Sequence, residues 1–431
     1  MFSLDDLKRK VSEQIRVSLE YLKPGWQKYL DPSYIPQAPL HRSAEIQEIC
    51  LKLIGFISSK VMRNILIYGI PGSGKTMSFI LAKKLAEEIL QEKGIDDFKI
   101  VYLRASMSGG VSQVMSTICW ELGRDVPKRG LSFREYMSVV EEYIENEEKY
   151  LHVCVDEFDN LLTAKKELYE AFLYFFTRTE NLSATFITNK VDLANEITDG
   201  RVLSTLDTIN VIYFKPYTKE QVRDILRERV LRAFKEGVIT DDAIEVLSER
   251  IVDEGGDIRK GLSILLFCGE SILRSERTSI DREEMKQIIT KHEILREGEL
   301  LNTTLSLSDK IVLAAIYTCM LTNRENKVLS DEAFAMQDYF RKLVGKTSIN
   351  NDSFSVYLSR LSTAGILEIR RVGKGKGRGV ASYIRLKYPQ DSIRYMIEKD
   401  SKLRPVLDYI NMVIYEQRKE IEERVRMARG E

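Results

Sequence analysis

Two rhythms of apolar and polar positions run along this chain. Short apolar runs, NILIYG, FKIVYLRA, YLHVCVDE, ATFITN and NVIYFKP, have the length of strands buried on both faces. Between them stand longer segments whose apolar residues recur at helical spacing. Strands that alternate with helices predict a parallel sheet covered on both sides. Ahead of the first strand, residues 1–30 read as one charged helix, with Leu4, Leu7, Val11, Ile15 and Leu19 near helical period. Pro32, Pro36 and Pro39 then predict an extended stretch, followed by a helix over about 43–58. A further helix is predicted over 75–91, and two more, about 110–122 and 132–147, lie between the second and third strands. That interval is too long for a single crossover helix, so a helical insertion is expected there.

Beyond the last strand the rhythm is helical over 218–296, opening with the capping box Thr218–Gln221. The polar stretch REGELLNTTLSLS predicts a linker to a third region. There, helices are expected near 308–322, 331–344 and 352–364, then two alternating segments around a glycine-rich turn, VGKGKGRG. Three helices and a hairpin over 305–389 predict a winged helix, with a final helix from about 390 to the end. In SFSVYLSRLST, Phe354, Val356, Tyr357, Leu358 and Leu361 form the expected core stripe. Asn351, Ser353, Ser355, Ser359 and Arg360 are left to face a major groove.

Composition narrows the class. A 44% hydrophobic and 30% charged share describes a soluble globular protein, and no apolar run approaches a membrane span. The N-terminus has no apolar signal core, so a cytoplasmic, nucleoid-associated protein is expected. Cys50, Cys119, Cys154, Cys268 and Cys319 lie far apart, which predicts buried thiols; three scattered histidines argue against a histidine-built metal site. Lys+Arg and Asp+Glu balance at 65 each, yet from Leu305 onward 23 basic residues face 16 acidic ones. A basic C-terminal third is where an anionic partner would sit.

The sharpest chemical signal is Gly69-Ile-Pro-Gly-Ser-Gly-Lys-Thr76, which satisfies G-x-x-x-x-G-K-[ST] between a strand and a helix. Glycines at that spacing let successive N–H groups point at phosphates, and the following helix adds its positive end. Gly69, Pro71, Gly72, Ser73, Gly74, Lys75, Thr76 and Met77 are therefore candidates for ATP or ADP binding. Lys75 would meet the β/γ-phosphates and Thr76 would ligate Mg2+. A later strand ends in Asp156 and Glu157, the first suited to the metal and the second to polarising the attacking water, which favours hydrolysis over binding alone. Asn189 at a strand end could orient that water. Arg259, in GGDIRKGL, could reach the terminal phosphate.

Taken in order, these motifs resemble the AAA+ ATPases. Within them the chain is most similar to the archaeal replication initiators related to the origin recognition complex and its helicase-loading partner. The resemblance rests on YIPQAPLHR, NILIYGIPGSGKT, VCVDEFDNL, FITNK, GRVLS, YFKPYTKEQVRDILRER, GGDIRKGL and the basic hairpin, and covers nearly the whole chain. It implies an α/β domain over 1–217 with an insertion at about 109–150, a helical lid over 218–300 and a winged helix over 305–431. It also implies that Tyr34, Ile35, Arg42 and Tyr217 line the adenine side, with Asn189 and Arg259 as first and second sensors. Lys128, Arg129 and Gly130 of the insertion would touch DNA, as would Arg371, Lys374, Lys376 and Arg378 of the hairpin. The implied function is an ATP-dependent initiator that binds double-stranded DNA at replication origins and helps load the replicative helicase; the helicase or other initiator subunits are its implied protein partners. Two readings stand beside it: a signalling or transcription-regulating P-loop ATPase with a DNA-binding tail, and a remodeller whose winged helix binds protein. One departure bears on turnover. Relatives that form active rings often carry an arginine after the RV of GRVLSTL, where this chain has Thr205 and Leu206; Arg201 is the nearest. A trans-acting arginine is thus not expected, and hydrolysis should be slow.

Overall fold

The computed structural model describes residues 4–59, 61–105, 110–127, 130–163, 166–190, 209–274, 278–323, 327–373 and 380–429. They fall in two compact units, Met1–Lys286 and Gln287–Glu431.

In the first unit, β1 (Ile65–Gly69), β2 (Phe98–Arg104), β3 (Tyr150–Asp156), β4 (Leu182–Thr188) and β5 (Asn210–Phe214) form a sheet in the order β2-β3-β4-β1-β5. Every pairing is parallel. β4 is buried at all positions, whereas the edge strand β5 alternates between buried and exposed. One face packs Ile65, Ile67, Ile100, Cys154 and Ile187 against α3 (Ser43–Ile54) and α5 (Lys75–Glu92). The other packs Val101, Val153 and Phe186 against α6 (Val111–Glu121), α7 (Phe133–Asn146) and α8 (Lys166–Arg178). Helices α6 and α7 lie where the insertion is expected, and Ser132 starts α7 with a capping box. Because the chain leaves β1 for the far edge and returns through β3 and β4, the strand order reverses beside β1. A crevice at the carboxyl ends of the strands follows from that reversal.

The N-terminal region is not one helix. α1 (Leu4–Tyr21) and α2 (Trp26–Leu30) are separated at Pro24-Gly25, a pair that a helix interior does not tolerate. A short α4 (Phe56–Ser59) follows α3. The break gives the chain a strap. Leu22 bridges to Phe234, Lys23 N–H donates to Ala233 O, and Trp26 lies so close to Gly269 that a Cβ there would overlap its ring. The strap thereby holds the helical layer of α9 (Lys219–Ala233), α10 (Asp241–Asp253) and α11 (Ile258–Leu273). Thr218 caps α9 with the expected box, its hydroxyl accepting from Gln221 N–H.

The expected polar linker is helical as well: α12 runs unbroken over Arg282–Thr304. Its Leu301 enters the core of the second unit, and Gly298 takes the close approach of Tyr395 and the Ser392 carbonyl, so burial holds a stretch whose polarity reads as loop. That unit continues with α13 (Leu307–Asn323), α14 (Ser330–Leu343) and α15 (Asn351–Thr363). An antiparallel sheet β6-β8-β7 completes it, from Val328–Leu329, Val380–Leu386 and Leu367–Gly373. The two-residue β6 is too short to be legible in the sequence. The expected last helix is two, α16 (Gln390–Lys399) and α17 (Arg404–Arg429). At the break, Asp400 accepts from Lys402 N–H and pairs with the buried Lys310 at 2.7 Å, which fixes the turn. In α15, Phe354, Leu358 and Leu361 are buried as expected, but Val356 is 57% exposed and leaves the core stripe.

Candidate nucleotide site

A cavity of about 490 Å³ opens at the carboxyl ends of the strands in the first unit. Pro71, Gly72, Gly74, Lys75, Thr76, Met77, Asp156, Glu157, Asn189 and Arg259 line it, as do Tyr34, Ile35 and Tyr217. Three predicted residues stand behind the wall. Gly69 ends β1, and Ser73 is fully buried, its hydroxyl donating to Ile70 O at 2.8 Å. Arg42 is buried too, donating through Nε to Ser73 O at 3.0 Å and through Nη2 to Lys215 O at 2.7 Å. Its guanidinium lies 4.1 Å from the Tyr217 ring centroid. Arg42 thus ties the loop backbone to the exit of β5 instead of facing the cavity.

The loop is held in a phosphate-ready shape by backbone that only glycine adopts freely: φ is 74° at Gly72 and 92° at Gly74. Lys75 opens α5 and turns back, donating to Gly69 O (2.9 Å), Ile70 O (2.8 Å) and Asn189 Oδ1 (3.0 Å). Burial of this ammonium lowers its pKa to about 8, against the opposing pull of Asp156. Three carbonyl-type acceptors are weak partners for a buried cation, so the arrangement fits an anion between Lys75 and the loop.

Asp156 is 3% exposed and accepts three hydrogen bonds. Its Oδ2 accepts from Thr76 Oγ1 and from the Tyr102 hydroxyl, both at 2.8 Å, and its Oδ1 from Glu157 N–H at 2.8 Å. Thr76 and Asp156 meeting in this way is the oxygen pair that a hydrated Mg2+ would require. Glu157 follows with φ 55°, a conformation that costs energy for a non-glycine residue and turns its side chain out of the strand. Asn189 is reached because β4 stands between β1 and β3. Asp159 fixes that strand end, accepting from Thr188 Oγ1 (3.1 Å) and Asn189 N–H (3.3 Å).

Arg259, in the first turn of α11, donates to both oxygens of Asp257, at 2.9 and 2.7 Å. Burial opposes the charge on Asp257, but the Arg259 bond and charge outweigh it and lower the pKa. On the opposite wall, the Tyr34 ring packs edge-on to Tyr29 at 5.2 Å and lies 4.8 Å from the Arg229 guanidinium.

In the second unit, Ser355 and Arg360 are exposed and Ser353 is half-buried. Arg360 lies 3.3 Å from the buried Asp309, which orients its side chain. Arg371 is exposed on β7, opposite Ser382. Gly130 sits two residues before the cap of α7, with φ 110° and open space around it. Lys128, Arg129, Lys374, Lys376, Arg378, Arg201, Thr205 and Leu206 lie outside the described residues.

Three family matches divide the chain. Residues 60–195 match the AAA domain, 223–288 the Cdc6 AAA+ ATPase-type lid domain, and 301–396 the C-terminal winged helix domain of CDC6. The chain thus resembles the Orc1/Cdc6 AAA+ ATPases, with its lid and winged-helix segments both matching Cdc6 models. An ORC1-type DNA replication protein of Methanosphaera stadtmanae is 28% identical over 378 residues, covering 86% of this chain and 95% of the relative. ORC1-type DNA replication protein 1 of Sulfolobus acidocaldarius is 29% identical over 356 residues, 80% of this chain and 85% of its own. Among solved structures, the Aeropyrum pernix ORC1 protein in complex with DNA superposes with a TM-score of 0.68 at 26% identity, over 88% of this chain and 97% of that one. The Pyrobaculum aerophilum Cdc6p structure shares the fold, with a TM-score of 0.55 at 19% identity and coverage of 92% and 99%.

In and around this candidate nucleotide site, five residues escaped the sequence: Tyr102, Arg104, Asp159, Arg229 and Asp257. Tyr102 and Arg104 are two apart on β2, so they share a face, and Arg104 Nε donates to the Tyr102 hydroxyl at 3.1 Å. A polar pair on one face at the end of an apolar strand was the available signal. For Asp257 the signal was an aspartate just before a helix, which marks an N-cap.

Proposed function

We propose that this chain is an ATP-switched, DNA-binding replication initiator. The observation that carries the reading is a continuous constellation: loop, Asp156–Glu157, Asn189 and lid Arg259 face one cavity, in a chain that also carries the Cdc6-type winged helix. Lys75 and the loop N–H groups would hold the phosphates of ATP or ADP, while Thr76 and Asp156 would hold Mg2+. Glu157 polarises the attacking water, Asn189 orients it, and Arg259 reads the terminal phosphate. Tyr34, Ile35 and Tyr217 give the base an apolar wall. The absence of an arginine at Thr205 and Leu206 favours slow hydrolysis used as a switch.

Double-stranded DNA is the proposed partner, met by the winged helix through Ser353, Ser355, Arg360, Arg371, Lys374, Lys376 and Arg378, and by the insertion through Lys128, Arg129 and Gly130. The likeness to the A. pernix ORC1 protein solved with DNA supports this. Origin recognition, recruitment of the replicative helicase or other initiator subunits, and a nucleoid-associated location complete the reading. No described helix is long and apolar enough to cross a membrane. Occupancy mapping on the genome of origin tests it: a peak at a replication origin supports the initiator, and peaks spread over promoters favour a transcription-regulating ATPase.

A further inference from the structure

Asp257 stands in a position that capping alone does not require. Its carboxylate accepts the Arg259 backbone N–H at 3.1 Å, which is the N-cap bond of α11. The same two oxygens also take both arms of the Arg259 side chain. Moreover, the residue is pressed onto the phosphate loop: a Cβ added at Gly72 would overlap the Asp257 carboxylate and come within 2.9 Å of its Cα. A negative group thus sits against the cradle meant for anions, holding the arginine that would bind the terminal one.

We infer that Asp257 is a specificity-determining latch, in which Arg259 exchanges this carboxylate for the terminal phosphate of a triphosphate. The inference rests on the nucleotide reading above. A diphosphate leaves the Asp257–Arg259 pair in place, because it brings no group to the arginine. A triphosphate must displace the carboxylate, and the displaced charge is repelled by the same phosphates. Asp257 therefore weakens ATP binding more than ADP binding, and sets how far the lid responds to the third phosphate. A bidentate arginine–carboxylate pair is among the stronger charge-assisted interactions, so its release is a substantial opposing cost.

Asparagine separates the two roles of the residue, since it caps a helix about as well as aspartate but lacks the charge. The test is equilibrium binding of ATP and ADP to full-length wild type, Asp257→Asn, Arg259→Ala and the double variant, with thermal melting of each. Asp257→Asn is expected to tighten ATP five- to tenfold and ADP less than twofold, at an unchanged melting temperature. In the Arg259→Ala background the same substitution should leave the ATP/ADP ratio unaltered, because the partner of the exchange is gone. An unchanged ratio in Asp257→Asn overturns the latch, as does equal tightening of both nucleotides or the same gain without Arg259. Wild type that binds neither nucleotide would overturn the nucleotide reading itself, and the latch with it.

Discussion

Lys75 is a buried cation, and burial of its ammonium leaves its proton loosely held. With a pKa near 8, the ligand-free lysine is roughly three-quarters neutral at pH 8.5, and a bound polyanion must restore its charge. ATP binding at pH 8.5 is therefore expected to take up most of one proton, read by calorimetry in buffers of different ionisation enthalpy. Lys75→Ala should lose both the proton and productive binding. The stability sign follows: between pH 8 and 10.5 the unfolded chain holds more of this proton, so the ligand-free protein gains stability as pH rises through that window. In the proposed role Glu157 would act on water instead of phosphate, so Glu157→Gln should keep ATP affinity and abolish turnover; undiminished turnover would remove Glu157 from that role. His152 is shifted in the same direction as Lys75 by the same cause, over a lower pH window. It is 1% exposed, with Nδ1 and Nε2 each 2.7 Å from the hydroxyls of Ser183 and Thr185, and burial lowers its pKa to about 3. Below about pH 6.5 the unfolded chain takes the proton and the folded one does not, so stability falls by about 1.4 kcal/mol per pH unit. His152→Gln should show a shallower decline in urea unfolding between pH 6 and 4.5.

At the scale of elements, period and capping made most of the fold legible. The five strands, the helices α5, α6 and α7 and the capped start of α9 stand where apolar spacing places them. Legibility failed where long-range burial, not local pattern, decided the outcome. REGELLNTT looks like a linker, yet Leu301 and Gly298 pack into the second unit and keep α12 helical. The reverse occurred at the N-terminus, where helical spacing masked a break at Pro24-Gly25. The phosphate loop was readable because its chemistry demands fixed spacing along the chain. Tyr102 and Asp159 were not, since each acts on a residue brought near only by the sheet order. Arg42 shows the converse, a motif residue that supports the site from behind. The strap formed at the N-terminal break predicts a cost of its own. Trp26 is 5% exposed, seated in the Gly269 notch and 6.3 Å from the Phe234 ring. Trp26→Ala should destabilise the first unit by about 3–5 kcal/mol, as expected for a large buried aromatic. Urea unfolding of the full chain checks it, and a loss under about 1 kcal/mol would show that the strap merely rests on α9 and α11.

At the scale of the whole molecule, charge is distributed against the net balance. The chain is neutral overall, yet its last third carries 23 basic residues to 16 acidic ones. β7 and β8 are paired from Leu367–Leu386 out to Gly373–Val380, and the six residues that join them contain Lys374, Lys376 and Arg378 with no acid. Each phosphate that a protein neutralises on duplex DNA adds about 0.9 to the slope of log affinity against log salt. Replacing all three basic residues with glutamine should flatten that slope by roughly two to three units if each meets a phosphate. Arg129 belongs to the insertion in the first unit, so Arg129→Gln should lower affinity in addition, by about one further unit of slope. The exposed face of α15 works differently. Ser355 and Arg360 would meet base edges, and their replacement should reduce preference between sequences more than bulk affinity. Salt titrations on an origin fragment and on random duplex separate these effects. Contacts from the joining residues change the slope on both DNAs alike, whereas contacts from α15 change the difference between the two. A triple variant that retains the wild-type slope would leave the basic turn as a solvated surface and would move the anionic partner elsewhere on this chain.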